Sequence, residues 1–457
     1  MIFIKIFRLH IIVTIFSVFS ACTNFLEVGP PVNQTTADKV FDNDQLATST
    51  VTGIYSRMAG SASPFSGSQS SISILTGLSA DEFLCYNTEL DEFYRNDIQI
   101  SNANISNMWR QVYQFIYTAN AVLEGLESSS KVTDATSKQL QGESKFIRAF
   151  CYFYLINLYD NIPLSTTTDF RKNQNLRQAS KTQVYQLIIS DLTDAKNLLS
   201  STYITDERVR PNRFAAAGLL ARVYLYAANW SLAIENANEV IAQNAVYGLN
   251  EDLDRVFLKN SSEAIWQLMP TAGSNSQEGA TLRLESTPTI VSIPAAFVNL
   301  FEEGDNRGMK WIGEYIDPTG TYYYPNKYKI RSSSTVTEYS TIIRLAEIFL
   351  IRAEARAKLN MTESALEDIN RIRNRAGLTT RLFGFSSERC LEEVERQRRF
   401  ELFSEWGHRW LDLKRTNRSN AVLAPAKGTF WNESHTAYPI PSIEISRNSH
   451  MIQNQGY

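Results

Sequence analysis

Apolar residues recur every three to four positions over long stretches of this chain, the spacing of amphipathic helices. The pattern predicts helices over about Asp44–Met58, Ser106–Leu126, Lys138–Tyr159 and Lys181–Leu199. In the third, Phe146, Ala149, Phe150, Phe153 and Asn157 share one face, and the pattern stops before Pro163. Two further stretches read as copies of one helical hairpin. The first is Phe214–Ala228 with Trp230–Gln243, the second Ile343–Leu359 with Thr362–Arg375. Ala221, Ala233 and Ile234 match Ala353, Ala365 and Leu366 at a constant offset of 132 residues, with breaks at Asn229 and Asn360. Small residues at those points let two helix backbones approach, and stacked pairs then bury a shared core. Helical periodicity fades over about 61–104 and 246–339, where Gly, Ser, Thr and Pro gather. Short β-like pieces are expected at Ala264–Met269 and Gly320–Arg331.

These patterns predict a mainly α protein, a tetratricopeptide-like superhelix of helical hairpins beside a loop-rich lobe with short β elements. The scaffold takes about 37–60, 105–245 and 340–457, and the lobe takes the two irregular stretches. The amino terminus is different again. Lys5 and Arg8 precede an apolar run from Leu9 to Phe19, the length of a signal peptide's core and too short to span a bilayer. Ser20-Ala21-Cys22 follows and resembles a bacterial lipobox, with Phe19 where an aliphatic residue usually sits. Residues 1–21 are therefore expected to be removed, Cys22 to be lipidated, and 22–36 to act as a polar spacer. Two or three acyl chains anchor stably where one does not. No other run approaches the roughly 18 apolar residues of a membrane helix.

Composition narrows the function classes. Lys and Arg number 45 against 48 Asp and Glu, a balance without the basic excess that nucleic-acid binding needs. Only four His are present, so a multi-histidine metal site is not expected; no cofactor is called for, and whether calcium orders a loop stays open. Cys85, Cys151 and Cys390 remain after cleavage, at spacings that fit no metal motif. The usual nucleotide-binding, zinc-protease and serine-nucleophile motifs are absent. Paired acids such as Asp81-Glu82 read as solvated or capping groups, and nothing supports an enzyme. Aromatic residues, 11% of the chain, do cluster in the irregular stretches: Phe83, Tyr86, Phe93 and Tyr94, then Trp311, Tyr315, Tyr322, Tyr323, Tyr324 and Tyr328. Flat rings interleaved with amides, acids and Arg suit sugars, whose C–H faces stack while their hydroxyls need partners. The expected ligand-binding set is Asp81, Tyr86, Asn87, Arg95, Trp311, Tyr315 and Tyr323.

Several segments in order resemble the SusD/RagB family of outer-membrane nutrient-binding lipoproteins. Cys22 to Glu27 is similar to that family's lipidated start, and Lys145 to Tyr154 with Leu158-Tyr159 and Ile162-Pro163 to its helix and exit turn. Arg344 to Glu347, Ala353 to Ala355, Ile369-Asn370 and Arg373 to Gly377 form its most recognisable stretch. Glu395-Arg396, Phe400 to Leu402, Glu405, Gly407, Arg409 and Asp412-Leu413 follow, then Tyr438 to Pro441 and Gln453 to Tyr457. Ser449 stands where the family commonly has Pro. The resemblance implies a lipid-anchored protein on the outer-membrane surface of a Gram-negative bacterium. It also implies a SusC-like TonB-dependent transporter as partner, to which captured oligosaccharide is delivered without catalysis. Oligopeptide capture for the same kind of transporter is the alternative within that class. A helical-repeat assembly scaffold and a lipid-anchored hydrolase are alternatives outside it.

Overall fold

The computed structural model describes residues 37–271 and 274–457. The expected lipidation at Cys22, the cleaved segment and the spacer 22–36 fall outside these residues.

The scaffold helices are α1 (Asp44–Ala59), α2 (Ile72–Ser79), α3 (Ala103–Ser128), α4 (Asp134–Tyr159), α5 (Lys181–Leu198), α6 (Arg213–Tyr226), α7 (Trp230–Ile241), α8 (Leu345–Lys358), α9 (Thr362–Arg375), α10 (Ser387–Leu402) and α11 (His408–Arg415). Side-chain caps start several of them. Asn43, Asn102, Thr133 and Asn212 each accept a first-turn N–H, and Ser180 with Gln183 makes a full capping box on α5. Successive helices from α3 to α9 pack pairwise, so the scaffold is one continuous stack.

The single apolar face read for α4 is only part of the picture. Phe146 to Tyr159 is buried on every side. A helix that is apolar all round belongs at the centre of a larger core. Here Phe150 and Tyr154 meet Phe65, Trp266 and Trp406 from outside the helical hairpins, at ring separations of 5.0–6.4 Å. α2 is a second departure, since it lies within a stretch read as irregular. All eight of its residues are buried, so it has no polar face to set a period.

The two hairpin copies become neighbours in space. α8 packs against both α6 and α7, with Ala221, Ala233, Ala353 and Ala365 fully buried. Between them, the Arg222 guanidinium grips the Glu347 carboxylate through Nε and Nη2, both at 2.6 Å, and donates to the Ile342 carbonyl at 3.0 Å. The breaks differ in detail. Asn360 adopts the left-handed conformation, φ 61°, whereas in the first copy Ala228 does so and Asn229 caps α7 instead.

Short strands join the two excursions to each other and the long one to the scaffold. They are β1 (Leu84–Cys85), β2 (Ala264–Leu268), β3 (Val291–Ser292), β4 (Ile312–Asp317), β5 (Gly320–Pro325) and β6 (Ser340–Arg344). β2 pairs antiparallel with β6, closing the loop at its root, so Ile343 and Arg344 are strand residues rather than the first turn of a helix. The expected strand from Gly320 ends at Pro325, where Lys327 and Tyr328 turn inward and are buried.

Candidate functional site: a tyrosine face on a composite sheet

β1 pairs antiparallel with β3, and β4 with β5 as a hairpin in which Tyr315 opposes Tyr322 and Glu314 opposes Tyr323. Ile293 N–H donates to the Tyr323 carbonyl at 2.7 Å, which joins the two pairs into one small sheet ordered β1, β3, β5, β4. The two irregular stretches, far apart in sequence, thus share one surface.

Strand alternation sorts the tyrosines. Gly313, Tyr315, Tyr322 and Tyr324 lie on one face of the hairpin, with Glu314, Ile316 and Tyr323 on the other. A β-carbon on Gly313 would sit 2.2 Å from the Tyr324 ring, so glycine is what lets that ring lie flat across the strand. Tyr86, following β1, reaches the same face. Its ring meets Tyr322 edge-on at 6.1 Å, and its hydroxyl shares a 3.1 Å hydrogen bond with Ser292. Tyr86 is 40% exposed, while Tyr315 and Tyr322 are half-buried. The Arg283 guanidinium lies 5.9 Å from the buried Tyr324 ring and donates to Asn326 at 2.8 Å, adding a cation beside the strip. The result is a row of rings with hydroxyl edges, flanked by amides and one guanidinium.

The seven expected residues separate. Tyr86 and Tyr315 share the tyrosine face. Asn87 sits beside Tyr86, where its side chain caps the turn Thr88–Leu90 and donates to Gln69 at 3.4 Å. Arg95 is exposed, paired with Asp91 at 2.6 Å and placed 4.8 Å over the Phe430 ring. Tyr323 points to the opposite face and packs partly against the main core. Asp81 is a correction. Its carboxylate is committed to Arg399 at 2.6 Å and Arg409 at 2.7 Å, and both its oxygens are taken.

Trp311 is the larger correction, because it is 0% exposed. Its indole N–H donates to the Leu253 carbonyl at 3.1 Å, its ring meets Phe257 edge-on, and Lys327, Arg375 and Arg344 stand 4.9, 5.4 and 5.8 Å from it. It belongs to the core. Tyr322 is missing from the expected set, although the period-two alternation of the hairpin pairs it with Tyr315. Ser292 and Gln69 carry no local signal, since only pairing across the sheet and loop packing bring them here.

Elsewhere, Glu278 is buried with its carboxylate against Gly67, accepting from the Ser340 hydroxyl while Oε2 has no partner among the described residues. Burial raises its carboxyl to about 7, only partly countered by Ser340. An acid whose pKa rises on folding costs stability once it must ionise: the penalty is absent below about pH 4.5, grows to pH 7 and is full above it. Glu278→Gln is therefore expected to recover on the order of 3 kcal/mol at pH 8 and to flatten the decline between pH 5 and 8 in urea melts. Glu82, raised to about 7 by burial and by neighbouring Asp81, leaves a residual slope. An unchanged slope in the variant would assign the whole decline to other groups. Among the described residues, no cluster of three or more His, Cys, Asp or Glu is placed to hold a metal ion, and no helix is long and apolar enough to cross a membrane.

Comparison with known proteins adds to this geometry. A family model described as "Starch-binding associating with outer membrane" matches residues 24–225, and the SusD family model matches residues 268–457. The chain belongs to the SusD/RagB family. A SusD-like protein of Formosa agariphila is 24% identical over 79% of this chain and 81% of its own length. Starch-binding protein SusD of Bacteroides thetaiotaomicron is 35% identical over 123 residues, a quarter of this chain and 21% of that one. Among solved structures, a SusD superfamily protein from Bacteroides vulgatus superposes with a TM-score of 0.79 at 21% identity, covering 91% of this chain and 99% of its own. A laminarin-binding SusD-like protein superposes with a TM-score of 0.76 at 23% identity, covering 91% of this chain and all of its own. The mainly helical fold with a strand-bearing lobe is thus that of the SusD superfamily.

Proposed function

We propose that this chain captures oligosaccharides on the Tyr86–Tyr322–Tyr315 face and passes them, without catalysis, to a SusC-like TonB-dependent transporter in the outer membrane. A lipid anchor at Cys22 would hold it on the cell surface. The observation that carries the reading is that two stretches far apart in sequence are folded together to present one exposed and two half-buried rings with hydroxyl edges. Pyranose C–H faces stack on such rings, and Asn87, Gln69 and Arg283 supply polar partners close by, while buried Ser292 holds the Tyr86 hydroxyl in place. Support for the ligand class comes from the starch-binding description of the family model and from the laminarin-binding relative.

Residues 23–457 titrated calorimetrically with starch, laminarin and mixed tryptic peptides test it. One glycan class is expected to bind. Tyr86→Ala and Tyr322→Ala, each folded as judged by circular dichroism, are expected to weaken that binding about tenfold, the value of one lost ring contact. Binding to peptides alone, or glycan binding untouched by both variants, would overturn the reading.

A further inference from the structure

A second aromatic cleft lies outside the lobe, on the scaffold. It has a volume of about 640 Å³, within the range of small-ligand sites. One wall is a face of α3, where Trp109, Tyr113 and Tyr117 follow one another at helical spacing. The opposite wall is the loop after Pro163, including the short helix Phe170–Asn173, and the third is the carboxy-terminal segment around Glu444 to Met451.

The walls are fixed and the mouth is not used up. Trp109 and Tyr113 form the floor with rings 5.0 Å apart, and the Tyr113 hydroxyl donates to the Pro163 carbonyl at 2.7 Å. The Asn448 amide donates to the Leu176 carbonyl at 2.8 Å, tying the carboxy-terminal wall to the loop. At the rim, Tyr117 is 54% exposed and Phe170 is 72% exposed, two large rings from different elements lining one cavity. Leaving apolar rings in water costs free energy that the fold does not recover there, since neither ring is packed away. Gln174 and Asn175 line the same cavity, and their side chains make no hydrogen bond within the chain among the described residues. Arg110 is also there, with one side-chain hydrogen bond among the described residues, to Asn107 Oδ1 at 2.7 Å. Arg110 and Arg447 are balanced in part by Glu444, so the cleft is not an anion trap.

We infer that this scaffold cleft is a second glycan site, taking a short run of neutral sugar rings between Tyr117 and Phe170. Paired rings accept the two C–H faces of a pyranose, and the free amides and the guanidinium match its hydroxyls. A phosphorylated or acidic ligand would call for an excess of cations, which Glu444 removes, and a docked helix for an unbroken apolar strip, which Arg110, Gln174 and Asn175 interrupt. Two glycan sites on one chain would hold a polymer longer than either alone, since the second contact forms within an already tethered strand. The inference rests on the glycan reading of this protein for its ligand class but not on the tyrosine face for its location.

The test separates the two sites. Residues 23–457 carrying Tyr86→Ala and Tyr322→Ala are titrated with the starch and laminarin preparations and with mixed peptides, alongside the same chain carrying Tyr117→Ala and Phe170→Ala as well. Both added positions are exposed, so folding is not at stake. Residual glycan binding in the first chain, weakened about tenfold or more in the second, is the expected result. Wild-type-like binding in the first chain that is lost in the second would sink the tyrosine face and leave the cleft standing. Loss of all glycan binding in the first chain overturns the second site. So does residual binding indifferent to Tyr117 and Phe170, binding of peptides only, or no binding to any probe.

Discussion

Trp311→Ala is expected to destabilise the protein by about 3–5 kcal/mol, read as a lower urea midpoint at an unchanged slope. The indole is fully buried, so its removal opens a cavity that the surrounding side chains cannot fill. Those neighbours are cationic: Lys327, Arg344 and Arg375 approach the ring within 6 Å, and cations cannot collapse onto one another. The variant also strips the Leu253 carbonyl of its indole donor. Ligand binding measured well below the unfolding transition should survive, because nothing on the tyrosine face touches this ring. Tyr86→Ala should do the reverse, lowering the unfolding free energy by only about 1–2 kcal/mol, mostly through the Ser292 hydroxyl left without its partner, while glycan binding falls. A Trp311→Ala protein of wild-type stability that no longer binds glycan would return the residue to the surface.

Why Trp311 reads as a surface residue in the sequence is a question of where its partners come from. Locally it stands between Lys310 and Glu314 in a polar, Gly-containing stretch, the setting of an exposed binding ring. In the fold, the ring is buried instead among charges brought from afar, which nearby Arg307 joins through Glu401. Arg344 arrives on β6, Arg375 from the end of α9, and Glu401 and Glu405 from α10 and the turn after it. Buried charge is legible only when both partners are known, and no local window contains them. Asp81 misleads for the same reason, its two arginines lying more than 300 residues on.

The scaffold was far easier to read, because helix periods, caps and small-residue contacts are local. Asp44, Lys181, Trp230 and Thr362 each begin a helix where periodicity places it. α2 stayed hidden because a fully buried eight-residue helix has neither a polar face nor length. On the β4–β5 hairpin the tyrosines were visible but their sides were not. Period-two alternation puts Tyr322 with Tyr315 and leaves Tyr323 behind, yet in a run of three consecutive tyrosines the pairing register is needed to say which side is which.

Glu401→Ala is expected to be at least as damaging as Trp311→Ala, costing about 3–5 kcal/mol or abolishing folding. Its carboxylate accepts from Arg344 Nη1 at 2.6 Å, from Arg307 Nη1 at 3.3 Å and from Arg375, all within a fully buried cluster. Arg307, Lys327, Arg344 and Arg375 there face Asp305, Glu263, Glu401 and Glu405, so the charges cancel only while every member is present. Burial by itself would push the Glu401 carboxyl up, but the guanidiniums of Arg375, Arg344 and Arg307 outweigh it and hold it well below the usual range. A depressed carboxyl contributes stability that is complete above its unfolded value of about 4.5 and is lost as pH falls, the opposite slope to Glu278. Glu401→Gln, nearly isosteric, should accordingly unfold almost as readily as Glu401→Ala at pH 7, and the gap to wild type should narrow in acid. The exposed Lys131–Asp42 pair at 2.7 Å provides the contrast. Lys131→Ala there is expected to cost less than about 1 kcal/mol, since water already solvates both groups. Were Glu401→Gln as mild as Lys131→Ala, the buried cluster would be contributing packing and not charge, and the junction between scaffold and lobe would owe its stability to Trp311 and the surrounding phenylalanines.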